Sequence, residues 1–242
     1  MDQYSRLKLI MGQEAVDKIA SSRVAVFGLG GVGGSAVEAL ARCGVGTLDI
    51  IDNDKVSITN LNRQILATHE TIGRYKTDVA EERIHSIDPD ITVNKYCTFY
   101  LPDGDTCFDF GAWDYVVDAI DTVTGKIGII IEARKAGTPV ISCMGCGNRL
   151  DPTKLVAGDI YETENDPLSR VMRRELRKRG VRSLKVVYST EIPVPCVFYG
   201  DESSIHDTRK TPPGSTSFVP PAAGAILASV VIRDITGRND NR

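Results

Sequence analysis

Four glycines crowd one short stretch, Gly28-Leu29-Gly30-Gly31-Val32-Gly33. A β-branched run, residues 23–28 (RVAVFG), precedes it, and apolar residues at Val32, Ala36, Val37 and Leu40 follow at helical spacing. A glycine turn between a strand and a helix lets the backbone approach a phosphate, and the helix N-terminus attracts its charge. Asp52 ends the next apolar run, TLDIID, where a carboxylate can take two ribose hydroxyls. These features alone suit NAD, FAD or ATP.

The following residues decide between those ligands. Asp52-Asn53-Asp54 leads into Asn60-Leu61-Asn62-Arg63-Gln64, and Lys76 opens a further helical segment. A dinucleotide's two phosphates are largely neutralised by a glycine loop and a helix dipole. A triphosphate with its magnesium ion calls for additional cations. Arg63 and Lys76 are placed to supply them, and Asp121, ending YVVDAID, is placed to hold magnesium through oxygen. Each has an ordinary explanation taken singly: a surface arginine, a first-turn lysine, a helix cap. A lysine in a first helical turn opposes the dipole, which favours the phosphate role for Lys76.

The elements that must position these residues alternate. Strands are expected at residues 23–28, 47–52, 91–99, 115–121 and 139–143, with helices at 32–43, 76–87 and 126–136. Such alternation implies an α/β fold, a doubly wound, Rossmann-like, mostly parallel sheet with right-handed crossovers. Ligands lie beyond the carboxyl ends of such strands. The pattern changes after about residue 147, giving a C-terminal extension. A helix near 166–179, strand-like 185–190 and 194–199, a polar loop at 200–217 and an apolar helix at about 222–235 follow. The expected organisation is a single domain over 1–242, with a nucleotide-binding core at about 20–147 and a substrate-facing part at about 148–242.

Composition narrows the class. Apolar content of 42%, charged content of 25% and a net charge of −3 suit an ordinary globular protein, with no overall field that favours nucleic acid. There is no signal-peptide pattern and no apolar run of membrane-spanning length, so a cytoplasmic location without membrane attachment is the expectation. Six scattered cysteines suit free thiols rather than a disulfide framework.

The stretch from GLGGVG through DNDKVSITNLNRQ to Lys76 and DAID resembles the ubiquitin-activating-enzyme-like superfamily of adenylating proteins. The resemblance implies that Asp52 binds ribose, that Asn60, Arg63 and Lys76 contact phosphates, and that Asp121 binds Mg2+. Gly28, Gly30, Gly31, Gly33, Asp54 and Gln64 complete the expected ATP-contacting set. It also implies a homodimer, in which an N-terminal arginine reaches the partner's triphosphate. Tyr4-Ser5-Arg6 matches that position, making Arg6 the candidate.

Within the superfamily, VVDAIDTVTGK, GCGNRLDPT, DPLSRVMRRELRK and YSTE resemble the tRNA threonylcarbamoyladenosine dehydratases. Those enzymes use ATP to cyclise the threonylcarbamoyl group of a modified adenosine in tRNA. The implied reaction starts with attack of the threonyl carboxylate on the α-phosphate, giving an acyl-adenylate. Arg6, Arg63, Lys76 and Asp121 serve that step. Arg170, Arg173, Arg174, Arg177 and Lys178 recur at helical spacing and form one basic face, which can track an RNA backbone.

Other readings stay open. Adenylation of the C-terminus of a ubiquitin-like sulfur carrier would use every nucleotide residue. A nicotinamide oxidoreductase would leave Arg63, Lys76 and Asp121 without a task. A non-enzymatic RNA-binding scaffold would turn over no ATP. Cys143 and Cys146 form a C-x-x-C without a second pair to complete a zinc site, and packing near the substrate is the preferred role. Beyond them only Cys196 remains, so a sulfur-transfer partner is left open rather than required.

Overall fold

The computed structural model describes residues 2–104, 106–197 and 213–238. Two short helices, α1 (Ser5–Met11) and α2 (Gln13–Ala20), precede the sheet. Gly12 joins them at φ +77°, a left-handed conformation that glycine adopts without strain. Next come β1 (Arg23–Phe27), α3 (Gly31–Arg42), β2 (Thr47–Ile51), α4 (Lys76–Ile87) and β3 (Thr92–Tyr96). β4 (Tyr115–Asp118), α5 (Val123–Ala136) and β5 (Val140–Cys143) complete the alternation. The C-terminal part supplies β6 (Leu155–Asp159), α6 (Pro167–Lys178), β7 (Lys185–Ser189) and α7 (Val219–Ile235).

The seven strands form one sheet in the order β3-β2-β1-β4-β5-β7-β6. All pairings are parallel except β6 with β7. Strand direction therefore reverses only at one edge, and the expected doubly wound, mostly parallel sheet is what forms. The order changes direction between β1 and β4, which opens a crevice at their carboxyl ends.

Period-two alternation sorts the strand residues between two layers. Val24, Val26, Leu48, Ile50, Tyr115 and Val117 face α3, α4 and α7. Ala25, Phe27, Ile51 and Val116 face the other side, against Ile129 and Ala133 of α5 and the rings of Tyr100, Phe110 and Trp113. α6 extends that second layer over β7 through Met172 and Leu176. α7 crosses α3 closely because Gly224 has no side chain. A Cβ there would lie 2.3 Å from the Val32 carbonyl oxygen.

Two details depart from the sequence-based expectations. The strand β6 was not expected, because LVAGD contains a glycine and has no apolar alternation. It forms by edge pairing along the whole of β7. The segment 194–197 is irregular rather than a strand, and 198–199 lies outside the described residues. The expected loop at 200–217 lies outside them up to residue 212, and 213–217 is irregular.

Candidate nucleotide site

The local chain explains the first wall of the crevice. Gly28 leaves β1 at φ +88°, and a Cβ there would meet the Ala119 carbonyl oxygen at 2.8 Å. Gly30 precedes the first residue of α3, and a Cβ on it would meet only Gln64 Nε2, at 4.0 Å. The backbone at Gly30 is thus open to a ligand. Gly33 behaves differently. Its Cβ would lie 1.7 Å from the Gly28 carbonyl oxygen, so this glycine is needed for helix–strand contact.

These turns border a cavity of about 540 Å³ beyond β1, β2 and β4. Gly28, Gly30 and Gly31 line it on one side. Asp52 and Asp54 line it from the end of β2, and Asn60, Arg63 and Gln64 from the following turns. Lys76 enters from the start of α4 and Asp121 from the loop after β4. Gly33 does not line it, which corrects its expected ligand contact to a packing role.

The Asp52 side chain is 8% exposed, and both of its carboxylate oxygens are engaged. Oδ2 accepts the Leu29 N–H at 2.6 Å, and Oδ1 accepts the Asp54 N–H at 2.7 Å. Burial pushes its pKa above 3.8, and the Lys76 ammonium 3.7 Å away opposes that shift. Lys76 is itself buried, with Nζ 2.8 Å from Asp54 Oδ2.

Arg63 is differently held. Its Nη1 donates to the Thr59 carbonyl at 2.7 Å and to Asn62 Oδ1 at 2.9 Å, and no carboxylate pairs with it among the described residues. Asn60 spends its Oδ1 on the Ser57 N–H at 3.0 Å, which fixes the turn that presents Arg63. Gln64 is buried, and its Oε1 has no hydrogen-bond partner among the described residues.

An open glycine and an arginine without a carboxylate fit a polyanionic nucleotide, and the unpartnered Gln64 Oε1 can accept from a donor such as a hydroxyl or amino group. Asp121 is exposed on the cavity wall. Among the described residues no group of three or more His, Cys, Asp or Glu could hold a metal ion. A divalent ion at Asp121 would therefore need phosphate oxygens as further ligands, as magnesium commonly takes.

Arg6 is not at this cavity. Tyr4, just before α1, hydrogen-bonds Asp88 ahead of β3 and covers Gly44 ahead of β2. Those positions lie at the amino ends of the strands, opposite the crevice. The exposed Arg6 cannot serve its own chain's nucleotide.

The α6 basic face is also less uniform than its spacing implies. Arg170, Arg174, Arg177 and Lys178 are exposed, whereas Arg173 is half-buried and donates to the Thr163 carbonyl at 2.7 Å. Arg177 lies over the Tyr161 ring, 4.9 Å from its centroid. Glu175 pairs with Arg174, Lys178 and Arg179. The Lys178 hydrogen bond is the largest influence holding its pKa down at about 2, so this carboxylate stays charged and offsets part of the stripe.

Sequence reasoning missed a buried network beneath the cavity. Lys126 is fully buried and donates to Asp118 Oδ2 at 3.1 Å, Ser142 Oγ at 3.2 Å and the Cys143 carbonyl at 2.7 Å. Asp118 Oδ1 also accepts the Ile120 N–H at 3.3 Å, steadying the loop that carries Asp121. A lysine ahead of the apolar run IGIII was the available signal. Arg149 was missed too. It is 2% exposed, donates to the Asn165 carbonyl at 2.8 Å and also bonds the Glu191 carbonyl, tying GCGNRLDPT to YSTE.

A parallel sheet with its crevice at the strand-order switch, a glycine turn and two cations defines a nucleotide-binding protein of the doubly wound α/β class. The chain belongs to the ThiF family, which matches residues 2–241. It is 40% identical over 243 residues to the tRNA threonylcarbamoyladenosine dehydratase of Bacillus subtilis, covering 97% of this chain and 95% of that one. It matches a crystal structure of the Escherichia coli tRNA threonylcarbamoyladenosine dehydratase in complex with ATP at a TM-score of 0.84 and 29% identity. That match covers 98% of this chain and 94% of the other. Similarity to the Escherichia coli sulfur carrier protein ThiS adenylyltransferase is 36% over 154 residues, 61% of this chain and 60% of that one.

Proposed function

We propose that this chain is an ATP-dependent tRNA threonylcarbamoyladenosine dehydratase. The observation that carries the reading is the cavity in which Asp52, Arg63, Lys76 and Asp121 converge from four separate segments on an open glycine turn. The near full-length similarity to a dehydratase, against partial similarity to the sulfur-carrier adenylyltransferase, favours this substrate over a carrier-protein C-terminus.

In this reading Asp52 holds the ribose hydroxyls, and the amides at Gly28–Gly31 and the α3 N-terminus receive phosphate. Asn60 and Gln64 supply further polar contacts, and Asp54 holds Lys76 in place. Arg63 and Lys76 stabilise the charge that develops as the substrate carboxylate attacks the α-phosphorus and pyrophosphate departs. Asp121 would hold a magnesium ion, which supplies charge neutralisation on the phosphates. Ring closure is then intramolecular, so positioning supplies much of the acceleration.

Arg6 acts across a homodimer, since its own cavity is beyond its reach. The exposed cations of α6 contact the tRNA backbone, with Arg173 supporting the helix rather than touching RNA. No helix among the described residues is long and apolar enough to cross a membrane. A cytoplasmic setting, where tRNA is found, belongs to the same proposal. The test is incubation with ATP, magnesium and threonylcarbamoyl-modified tRNA, followed by nucleoside mass analysis. Loss of one water from the modified base is expected. An unchanged mass from a preparation that binds ATP would overturn the assignment.

A further inference from the structure

The C-x-x-C sequence at the end of β5 has no task in the chemistry above, yet its second cysteine lines the cavity. Cys143 and Cys146 are both buried, at 3% and 9% exposure, and their sulfurs are 3.5 Å apart. The remaining four cysteines are Cys43, Cys97, Cys107 and Cys196, and no hydrogen bond joins any of them to another sulfur among the described residues.

The turn that carries the pair is anchored on both sides. The Met144 N–H donates to the Val187 carbonyl at 2.8 Å, and the Gly145 N–H to Asp166 Oδ2 at 2.9 Å. The Lys126 ammonium holds the Cys143 carbonyl. On the other side the chain runs directly into the cavity wall. Gly147 packs on Pro213 so tightly that a Cβ would approach it to 2.6 Å. Asn148 and Gly214 exchange hydrogen bonds, N–H to carbonyl at 2.8 Å and N–H to Oδ1 at 2.7 Å. Cys146, Gly147, Pro213 and Gly214 all line the cavity. Movement at Cys146 is therefore transmitted to two segments of the same wall.

We propose that Cys143 and Cys146 are a modification site, a thiol pair that closes to a reversible disulfide under peroxide and thereby displaces the wall of the nucleotide cavity. The coupling to ATP rests on the functional reading above; the disulfide does not. A disulfide needs the sulfurs at about 2.0 Å, so they must approach by roughly 1.5 Å from their present separation. With Cys143 fixed at the end of a central strand, Cys146 and the residues after it take up most of that shift.

The chemistry balances with hydrogen peroxide as oxidant. Cys146, which lines the cavity, loses its thiol proton as its sulfur attacks a peroxide oxygen, and it becomes a sulfenic acid as hydroxide leaves. The Cys143 thiol then attacks the Cys146 sulfur, its proton leaves with the departing hydroxyl as water, and the S–S bond forms. The proton lost from Cys146 neutralises the hydroxide, so two electrons pass from the two sulfurs to peroxide and it ends as two waters. The hydrogen bond to Cys146 and burial push the Cys143 thiol up, which leaves Cys146 as the sulfur that meets peroxide first.

The test uses the full chain carrying Cys97→Ser and Cys107→Ser, which removes the two exposed thiols. After peroxide treatment, peptide mapping should find Cys143 joined to Cys146, and calorimetry should find ATP binding weakened by about tenfold. Dithiothreitol should reverse both. In Cys143→Ser the Cys146 sulfenic acid has no resolving thiol, so dimedone should trap it as a mass adduct at that position. Absence of the 143–146 bridge overturns the proposal whatever the protein does with ATP. A bridge that leaves ATP affinity unchanged overturns the coupling. A bridge in a protein whose reduced form binds no ATP supports the thiol site and defeats the functional reading instead.

Discussion

Replacing Arg63 or Lys76 by alanine separates two jobs that sequence alone would treat as one. Arg63 donates only to the neutral oxygens of Thr59 and Asn62, and both residues are exposed. Water replaces those bonds, so Arg63→Ala should cost about 1 kcal/mol of stability or less. A charge-assisted hydrogen bond to phosphate is worth roughly 1.5–3 kcal/mol, which corresponds to roughly 10- to 150-fold in ATP affinity. Lys76 differs because it lies buried between Asp52 and Asp54. The Asp54 side chain is 62% exposed, so that pair contributes little. Asp52 is buried, and removal of its neighbouring cation leaves an uncompensated carboxylate, at a cost of about 3 kcal/mol. For a chain of this length that lowers Tm by roughly 6–12 °C. Urea unfolding, thermal melts and ATP calorimetry on the two variants provide the assay. Both should lose turnover, but only Lys76→Ala should lose marked stability. Unimpaired ATP affinity in Arg63→Ala, or an unchanged Tm in Lys76→Ala, would refute this division.

Acidification offers a second check. Asp52 has a raised folded pKa, so its contribution to stability is fully present below the unfolded value of 3.8 and is lost as pH rises through the folded value. ATP binding runs the other way, because ribose needs the ionised form. Calorimetry across falling pH should show affinity declining above the ordinary aspartate range, and Asp52→Asn should flatten that profile; an identical profile in the variant excludes Asp52. On α6, a combined Arg170→Glu, Arg174→Glu and Arg177→Glu change should weaken tRNA binding and lower its salt dependence by about one slope unit for each phosphate no longer neutralised. Unaltered tRNA titrations in that variant would remove this face from the interface. The glycines should also divide. Gly33→Ala should cost about 3 kcal/mol or more by overpacking against Gly28. Gly30→Ala should keep the fold and lose ATP affinity, and a stable Gly33→Ala protein in urea unfolding would contradict the packing role.

The sequence by itself determined where the first five strands and their intervening helices fall along the chain, the glycine turn, and the residues gathered around it. Those features depend on near neighbours: β-branched runs, helical spacing, and residues stationed at the ends of elements. Asp52, Arg63, Lys76 and Asp121 were legible because each follows or begins an element, and a parallel sheet brings such ends to one edge. The tertiary structure alone decided matters set by distant partners. Gly33 belongs to packing because the Gly28 carbonyl lies against it. Arg6 is at the far end of the sheet because Tyr4 docks beside Asp88 and Gly44. LVAGD becomes a strand only because β7 offers it an edge. Arg173 leaves the basic stripe to bond Thr163, and Lys126 joins the floor of the site through Asp118 and Ser142. Helical or strand spacing specifies which face a side chain occupies, but its charge and hydrogen-bond state are settled by whichever remote segment folds against that face.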